Sequence, residues 1–434
     1  MSGEGAAFDA IVVGAGPAGS MAAWRLATLG RRVALLERGA FPGAKNLFGG
    51  MVAAEAFARY FPGFAAEAPI ERPVTRHSTH LLAGGRSLCL DFTCEPFGVE
   101  PYNGFTAYRS RLDRWLAERA VAAGALLVPA TVADDLLWER GRVAGVVTRR
   151  EQGALRAPVV IAADGVLSLL GQRAGLVPPH RPEHYSLGVR EVLGLPARTI
   201  EERFQVDAQG GCAALFAGAW APGVAGGGFL YTNRESLSLG FVVPLPALRR
   251  AGVSILEALE DFKRRPVVRR YIAGAERLEY GAHLVPEAGW GGIPRLAGDG
   301  ILLAGDAAGL VLAGGVIYEG VNYAMHSGVL AAETAHEALA RGDCSAAALR
   351  PYARRLRDSV VGRNLRTFRR VPRLLANPLL YGPLPEALCG AAEDFFRADG
   401  AGRPRLGRLL RRHLRPIGPV ALLRLGWQTL RAWF

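Results

Sequence analysis

The segment Gly14-Ala15-Gly16-Pro17-Ala18-Gly19 stands directly after a buried-strand pattern, Phe8-Asp9-Ala10-Ile11-Val12-Val13, and directly before an Ala-rich helical stretch that runs to about Leu29. No other segment restricts the fold as strongly. A pair of phosphates needs close backbone approach and unpaired N–H groups at a helix N-terminus. Gly14 permits the tight turn, Gly16 removes a side chain from the path, and Gly19 lets the helix pack on the sheet. Gly30 is the natural helix stop, and residues 33–37 read as a second strand. Glu37, at the end of that strand, suits a pair of ribose hydroxyls and would repel a 2′-phosphate. The unit is βαβ, which argues for a parallel sheet, and it points to a bound dinucleotide.

The rest of the chain divides by pattern. Residues 41–50 form a Gly-rich loop, 72–104 are strand-rich and irregular, and 109–123 read as an amphipathic helix. Short strands surround Val128, Leu136 and Val146, and 159–162 is another buried strand. Residues 180–280 alternate strands with Gly-rich turns, as a separate antiparallel sheet does. A buried strand returns at 301–304, followed by a glycine loop, a helix from about Gly320 and an Arg-rich helical remainder.

A formal net charge of +13 raises the question of nucleic acid. Of the 52 basic residues, 50 are Arg and only two, Lys45 and Lys263, are Lys. With many Ala, Gly and Leu besides, this marks a coding bias, so total charge is a poor guide to partners. No helix-turn-helix, zinc-finger or RNP-like signature accompanies it, and no nucleic acid is expected. The five cysteines, Cys89, Cys94, Cys212, Cys344 and Cys389, form no C-x-x-C pair. An iron–sulfur centre needs four well-placed thiolates, so neither a cluster nor another metal is expected, and the thiols read as small buried hydrophobes in a reducing compartment. No apolar run reaches the 18 residues of a bilayer span. The apolar start, residues 11–23, is broken by glycines and lacks the basic lead of a signal peptide, so the chain is read as cytoplasmic.

Two further segments follow buried strands: Ala163-Asp164-Gly165-Val166-Leu167-Ser168 and Ala304-Gly305-Asp306-Ala307-Ala308-Gly309. Each puts an acidic side chain at a strand end, where doubly wound sheets make ligand contacts. In this order they resemble the DG and GD segments of the glutathione-reductase-like FAD superfamily. Its members include aromatic hydroxylases, geranylgeranyl reductases and electron-transfer-flavoprotein:quinone oxidoreductases. The resemblance implies FAD and an α/β fold: a Rossmann-like FAD-binding domain with an inserted antiparallel-sheet substrate domain and a helical C-terminal region. The discontinuous FAD-binding domain is expected at 1–75, 105–175 and 281–345, the substrate or quinone domain at 76–104 and 176–280, and the helical region at 346–434. The implied cofactor-binding residues are Gly14, Gly16, Pro17, Ala18, Gly19, Glu37, Arg38, Lys45, Asn46, Arg109, Val132, Asp164, Gly165, Gly305, Asp306, Gly320, Val321 and Asn322. Asp306 would lie near the flavin's ribityl and pyrophosphate, and Arg109 matches a cofactor-contacting Arg before its helix. The superfamily's usual Arg after the DG segment is absent; Leu170 and Gln172 occupy the neighbourhood, and Arg173 is the nearest replacement.

Within the superfamily, residues 37–46 (Glu-Arg-Gly-Ala-Phe-Pro-Gly-Ala-Lys-Asn), 226–233 (Gly-Gly-Gly-Phe-Leu-Tyr-Thr-Asn), 281–289 (Gly-Ala-His-Leu-Val-Pro-Glu-Ala-Gly), 305–311 and 319–328 resemble the FixC branch of the quinone oxidoreductases. The likeness covers residue 8 to about 400, and its middle segments are more specific than the glycine turn because unrelated FAD enzymes lack them. It implies electron transfer from an electron-transfer flavoprotein to FAD and on to quinone, with a small ferredoxin-like iron–sulfur protein as a further partner in some members. Longer members carry a C-terminal four-cysteine cluster domain; this chain has no such cysteines, so any cluster belongs to a separate partner. The rivals are a geranylgeranyl-reductase-like enzyme acting on prenyl double bonds and an FAD-dependent aromatic hydroxylase. Prenyl reductases carry a W-x-F-P-type substrate segment and a Cys near the flavin loop, where this chain has Phe229-Leu230-Tyr231-Thr232-Asn233 and Leu47-Phe48-Gly49-Gly50.

Electron delivery needs no general base, since flavin carries the chemistry; no Ser-His-Asp set or usefully spaced carboxylate pair is found, and no catalytic residue is assigned. Lys45 either stands near the flavin, where a cation stabilises the reduced anion, or sits on a surface loop by chance. His283 either hydrogen-bonds a quinone carbonyl or is a satisfied structural histidine. Residues 403–434 hold eight Arg and no Asp or Glu, with Leu406, Leu409, Leu410 and Leu414 at helical spacing and Trp427, Trp433 and Phe434 near the end. Basic residues beside an apolar face suit an anionic membrane surface; packing on the enzyme's own core is the alternative. Pro416 and Pro419 prevent one continuous helix. The expectation is a peripheral protein on the inner face of the cell membrane.

Overall fold

The computed structural model describes residues 8–46, 49–150, 153–218, 220, 224, 226–400 and 402–434. The strands Ala10–Val13, Val33–Leu36, Val159–Ala162 and Ile301–Leu303 are buried at every residue, the continuous apolar pattern of a parallel sheet covered on both faces. They form a six-stranded sheet in the order Ala297–Gly298, Ile301–Leu303, Val159–Ala162, Ala10–Val13, Val33–Leu36, Leu126–Val128. All neighbours run parallel except the edge strand Ala297–Gly298. Val13 pairs with Ala162 and Leu36, and Ala162 pairs with Leu303. That register brings the four segments which follow these strands to one sheet edge: the glycine turn, Glu37, Asp164 and Asp306.

The helices Pro17–Thr28 and Val321–Ala340 pack closely on this sheet and on each other. A Cβ on Gly328 would lie 2.1 Å from the Ala18 carbonyl oxygen, so the contact requires glycine. The helix Arg109–Ala122 joins them through a shared core of Met21, Phe57, Phe105, Leu112, Trp115 and Met325.

A second, seven-stranded sheet runs in the order Glu276–Pro286, Tyr185–Gly194, Ser236–Pro244, Gly227–Thr232, Cys212–Gly218, Arg76–Ala83, Arg86–Thr93. It is antiparallel apart from the parallel pair Cys212–Gly218 and Arg76–Ala83. Residues 180–280 are more than strands and turns. The helices Ala197–Phe204, Leu245–Ala251, Ile255–Arg264 and Pro266–Ile272 lie among them, with Phe204, Phe216, Trp220, Phe241 and Phe262 in the core they share with the sheet. The strand Glu276–Pro286 also runs past residue 280, so the boundary expected there falls inside a strand.

The C-terminal region is helical. Its last helix, Pro419–Trp433, buries Leu425 and Ala432 against Val371 and Leu374. On its other side Val420, Leu423, Trp427, Leu430 and Phe434 are all exposed. Their spacing of three and four residues makes one apolar stripe, beside Arg424 and Arg431. The sequence pointed both to this end, through Trp427, Trp433 and Phe434, and to the leucines of the preceding helix, Leu406–Leu414. There Leu409 is buried and Leu410 and Leu414 are half-buried, because His413 and Arg412 pair with Asp394 and hold that helix down. Among the described residues no helix is long and apolar enough to cross a membrane.

Candidate functional site

At the end of the first strand Gly14 turns with φ +98°, and a Cβ there would lie 2.3 Å from the Ala163 carbonyl oxygen. A Cβ on Gly19 would come within 1.8 Å of the Gly14 carbonyl oxygen. Gly16 differs: the nearest atoms to its Cβ would be Arg109 Nη2 at 3.8 Å and Asn46 Nδ2 at 4.0 Å. Among the described residues nothing requires glycine at 16, and they leave the space in front of it open. Gly16 is the N-cap of the helix Pro17–Thr28. Pro17 lacks an N–H to leave unpaired, whereas Ala18 and Gly19 present theirs at the positive end of the helix dipole.

Glu37 is buried, and its carboxylate accepts the Ala15 N–H at 3.0 Å and the Gly39 N–H at 2.6 Å. It therefore braces the glycine turn, with lone pairs to spare for hydroxyl donors. The Thr131 N–H donates to the Glu37 carbonyl at 2.8 Å, which sets Val132 beside the same strand end.

Facing the helix start is a network that the sequence disclosed only in part. Asp113 is fully buried and accepts from Arg109 Nε at 2.6 Å, from Arg109 Nη2 at 2.9 Å and from Asn46 Nδ2 at 2.6 Å. The bidentate pairing fixes the guanidinium plane. Arg109 and Asn46 were both expected; Asp113 was missed, although its spacing of four from Arg109 on one helix face was a readable sign. Arg109 and His283 both lie within electrostatic range of Asp306. Burial pushes the Asp306 carboxyl above its ordinary range against the pull of these two groups, and pushes the His283 imidazole below its own. The Gly305 N–H donates to Ser327 Oγ at 2.9 Å, anchoring the segment that carries Asp306.

Asp164 accepts the Leu170 N–H at 3.0 Å through Oδ2. Its Oδ1 and the Ser168 hydroxyl are buried without a partner among the described residues. Burial raises the Asp164 carboxyl, with Arg38 within range to lower it. Gly165, at φ +84°, turns the chain between them. Gly320 caps the helix Val321–Ala340. The Asn322 carboxamide donates to Glu319 at 3.0 Å and to Glu55 at 3.4 Å, so what Val321 and Asn322 offer at this helix start is main-chain N–H. Lys45 is exposed and forms no hydrogen bond or ion pair among the described residues. Arg173 does not replace the missing arginine: it pairs with Asp135 at 3.1 Å and with the Asp134 carbonyl, both on the strand Ala133–Glu139. Leu47 and Phe48 lie outside the described residues. Among those described, no group of three or more His, Cys, Asp or Glu is placed to hold a metal.

An open cradle at Gly16, two helix starts and two unpartnered buried oxygens fit a large ligand bearing phosphates and hydroxyls, as FAD does. A family model described as FAD dependent oxidoreductase matches residues 9–89, and one described as the ETF-QO/FixC family C-terminal domain matches residues 371–434. A probable electron transfer flavoprotein-quinone oxidoreductase of Escherichia coli K12 is 42% identical over 419 residues, which span 96% of this chain and 97% of that protein. FixC of Azotobacter vinelandii is 39% identical over 398 residues, 91% of this chain and 92% of that protein. Among solved structures, a geranylgeranyl bacteriochlorophyll reductase-like protein of Thermoplasma acidophilum has a TM-score of 0.73 at 20% identity, covering 97% of this chain and 99% of that one. A myxobacterial chondrochloren halogenase has a TM-score of 0.64 at 20% identity, covering 98% and 97%. At such identities these two structures speak for the fold alone.

Proposed function

This chain belongs to the ETF-QO/FixC family and is an FAD-dependent oxidoreductase; from that premise we propose that it carries electrons from an electron-transfer flavoprotein to a quinone. The observation that carries this reading is the 42% identity, along nearly the whole of both chains, to a protein named as a probable electron transfer flavoprotein-quinone oxidoreductase. When bound, FAD supplies the redox centre. The protein's part is to hold and orient it. In this reading Gly16 and the amides of Ala18 and Gly19 take the pyrophosphate, and Glu37 takes the adenosine ribose. Arg109 and Asn46, locked by Asp113, face the phosphates, while Asp164 and Asp306 take the ribityl side.

Two of the family-like segments support a substrate site beside the cofactor. His283, on the edge strand, lies within electrostatic range of Asp306. Phe229 and Tyr231, on the strand Gly227–Thr232, cluster with Val74, Ala213 and Met51. The exposed stripe of the last helix, flanked by Arg424 and Arg431, is the surface we assign to an anionic leaflet, through which a lipid-soluble quinone reaches the site. A small ferredoxin-like iron–sulfur protein is a further partner in this scheme.

Anaerobic mixing tests the choice of donor. A reduced electron-transfer flavoprotein should bleach the flavin absorbance of the FAD-loaded protein rapidly, and NADPH should do so slowly. Fast bleaching by NADPH, with no response to any electron-transfer flavoprotein, would favour the prenyl-reductase or hydroxylase reading.

A further inference from the structure

The C-terminal region holds a cleft of about 730 Å³ between the segment that follows the helix Val371–Leu375 and the start of the last helix, Pro419–Trp433. A volume of roughly 300–1,000 Å³ is that of a small-molecule site. One wall carries Arg373, Ala376, Asn377 and Leu379. The other carries Ile417, Val420, Ala421, Arg424 and Gln428. The Asn377 carboxamide donates to Gln428 Oε1 at 2.9 Å and accepts the Leu379 N–H at 3.1 Å, which ties the walls together. Beneath them Val371, Leu374, Leu425 and Ala432 are buried against one another. The cleft is therefore framed by packed elements.

Its charge is one-sided. Arg373 and Arg424, one from each wall, are exposed and form no hydrogen bond or ion pair among the described residues. Residues 359–385 and 400–434, which supply both walls, contain no Asp or Glu. Elsewhere in this region arginines find acids: Arg397 pairs with Glu393 and Arg412 with Asp394. Around the cleft like charges are pressed together instead, and Arg431 draws the Arg370 guanidinium below its ordinary range. Such a site attracts an anion, and the arginine fork pairs well with phosphate oxygens. The cleft is also continuous with the apolar stripe of the last helix. Val420, 77% exposed, belongs to both, so the cleft opens on the surface assigned above to the leaflet. An anion with an apolar body answers both features. A quinone carries no charge for the arginines, and inorganic phosphate has nothing for the apolar walls.

We propose that this cleft binds a single anionic phospholipid of the leaflet, its phosphodiester between Arg373 and Arg424 and its glycerol and first acyl carbons against Leu379, Ile417 and Ala421. This rests on the leaflet reading above. The seated lipid offsets the charge of the two acid-free segments. It also fixes the last helix against the surface by one specific contact, in addition to the general attraction of its exposed stripe.

The test uses the FAD-loaded full chain, bound to vesicles of phosphatidylcholine and phosphatidylglycerol and then released into mild detergent. Native mass spectrometry should find the parent carrying a single phosphatidylglycerol, which an excess of inorganic phosphate does not displace. Ala421→Trp fills the cleft without changing its charge and should abolish that adduct. Arg373→Gln with Arg424→Gln should weaken the affinity for a short-chain phosphatidylglycerol roughly 30-fold, the scale of two arginine contacts to an anionic lipid. Arg403→Gln with Arg408→Gln removes equal charge from exposed positions outside the cleft and should leave the adduct in place. FAD content and the thermal midpoint check that each variant is folded, and the two arginine pairs serve if Ala421→Trp is not. An adduct that survives in Ala421→Trp, arginine pairs of equal effect, or displacement by inorganic phosphate overturns the proposal. A parent that sediments with the vesicles yet retains no phospholipid overturns the cleft alone. A parent that does not sediment with them overturns the leaflet reading, and this proposal with it.

Discussion

A valine at position 16 and one at position 19 should fail in different ways. A side chain on Gly19 would strike the Gly14 carbonyl within the protein's own turn, and overpacking of this kind costs about 1–3 kcal/mol or more. A side chain on Gly16 meets no atom of the described residues nearer than 3.8 Å; it enters the space assigned to the pyrophosphate. Gly16→Val should therefore keep the circular dichroism and the thermal midpoint of the apoprotein while losing FAD from the purified sample. Gly19→Val should lose stability with or without FAD. A folded Gly16→Val protein that keeps full FAD would refute the cradle. The glycine turn and Glu37 were legible because their spacing is set by local backbone geometry. Asp113 was not, because its partner Asn46 lies 67 residues away, and no local pattern reveals which loop meets which helix. The unpartnered Asp164 Oδ1 and Ser168 hydroxyl were hidden for the same reason: being without a partner is a property of the assembled neighbourhood.

The strongly periodic or wholly apolar elements were visible beforehand: the buried strands, the helix Arg109–Ala122 and the helix after Gly320. The helices between residues 197 and 272 were not, because glycine-rich turns on either side favoured strands. One still left a sign, the Ser254 and Glu257 capping box of Ile255–Arg264. At the C-terminus the sequence showed amphipathic helices but not which one lacks a cover. That depends on the partner Asp394 supplies to the helix Leu406–Leu414, which leaves the stripe of Pro419–Trp433 facing outward. Leu423→Gln with Trp427→Gln should leave FAD content unchanged while weakening sedimentation with anionic liposomes about tenfold, equivalent to roughly 1.4 kcal/mol. Added salt should weaken the parent's binding as well. A parent protein that stays in the supernatant at low salt, alone and with its redox partners, would rule out the leaflet as the cover for this stripe.

At the scale of the whole molecule, two sheets of different construction meet around the cofactor site. In the reading proposed above, the parallel sheet presents the phosphate- and ribose-facing groups, and the antiparallel sheet supplies His283 and the aromatic strand Gly227–Thr232. Their interleaving in sequence was legible as an insertion, though its exact limits were not, since the edge strand Glu276–Pro286 passes through the expected boundary. The five cysteines are free and scattered, so the chain purified alone without oxygen should contain FAD but neither iron nor acid-labile sulfide; stoichiometric amounts of both would contradict this. The most direct test of the electron-transfer account follows the flavin absorbance of the full-length, FAD-loaded protein without oxygen, first on adding a reduced electron-transfer flavoprotein and then on adding a quinone. The account predicts that the band bleaches with the first addition and returns with the second. A band that responds to neither would contradict it.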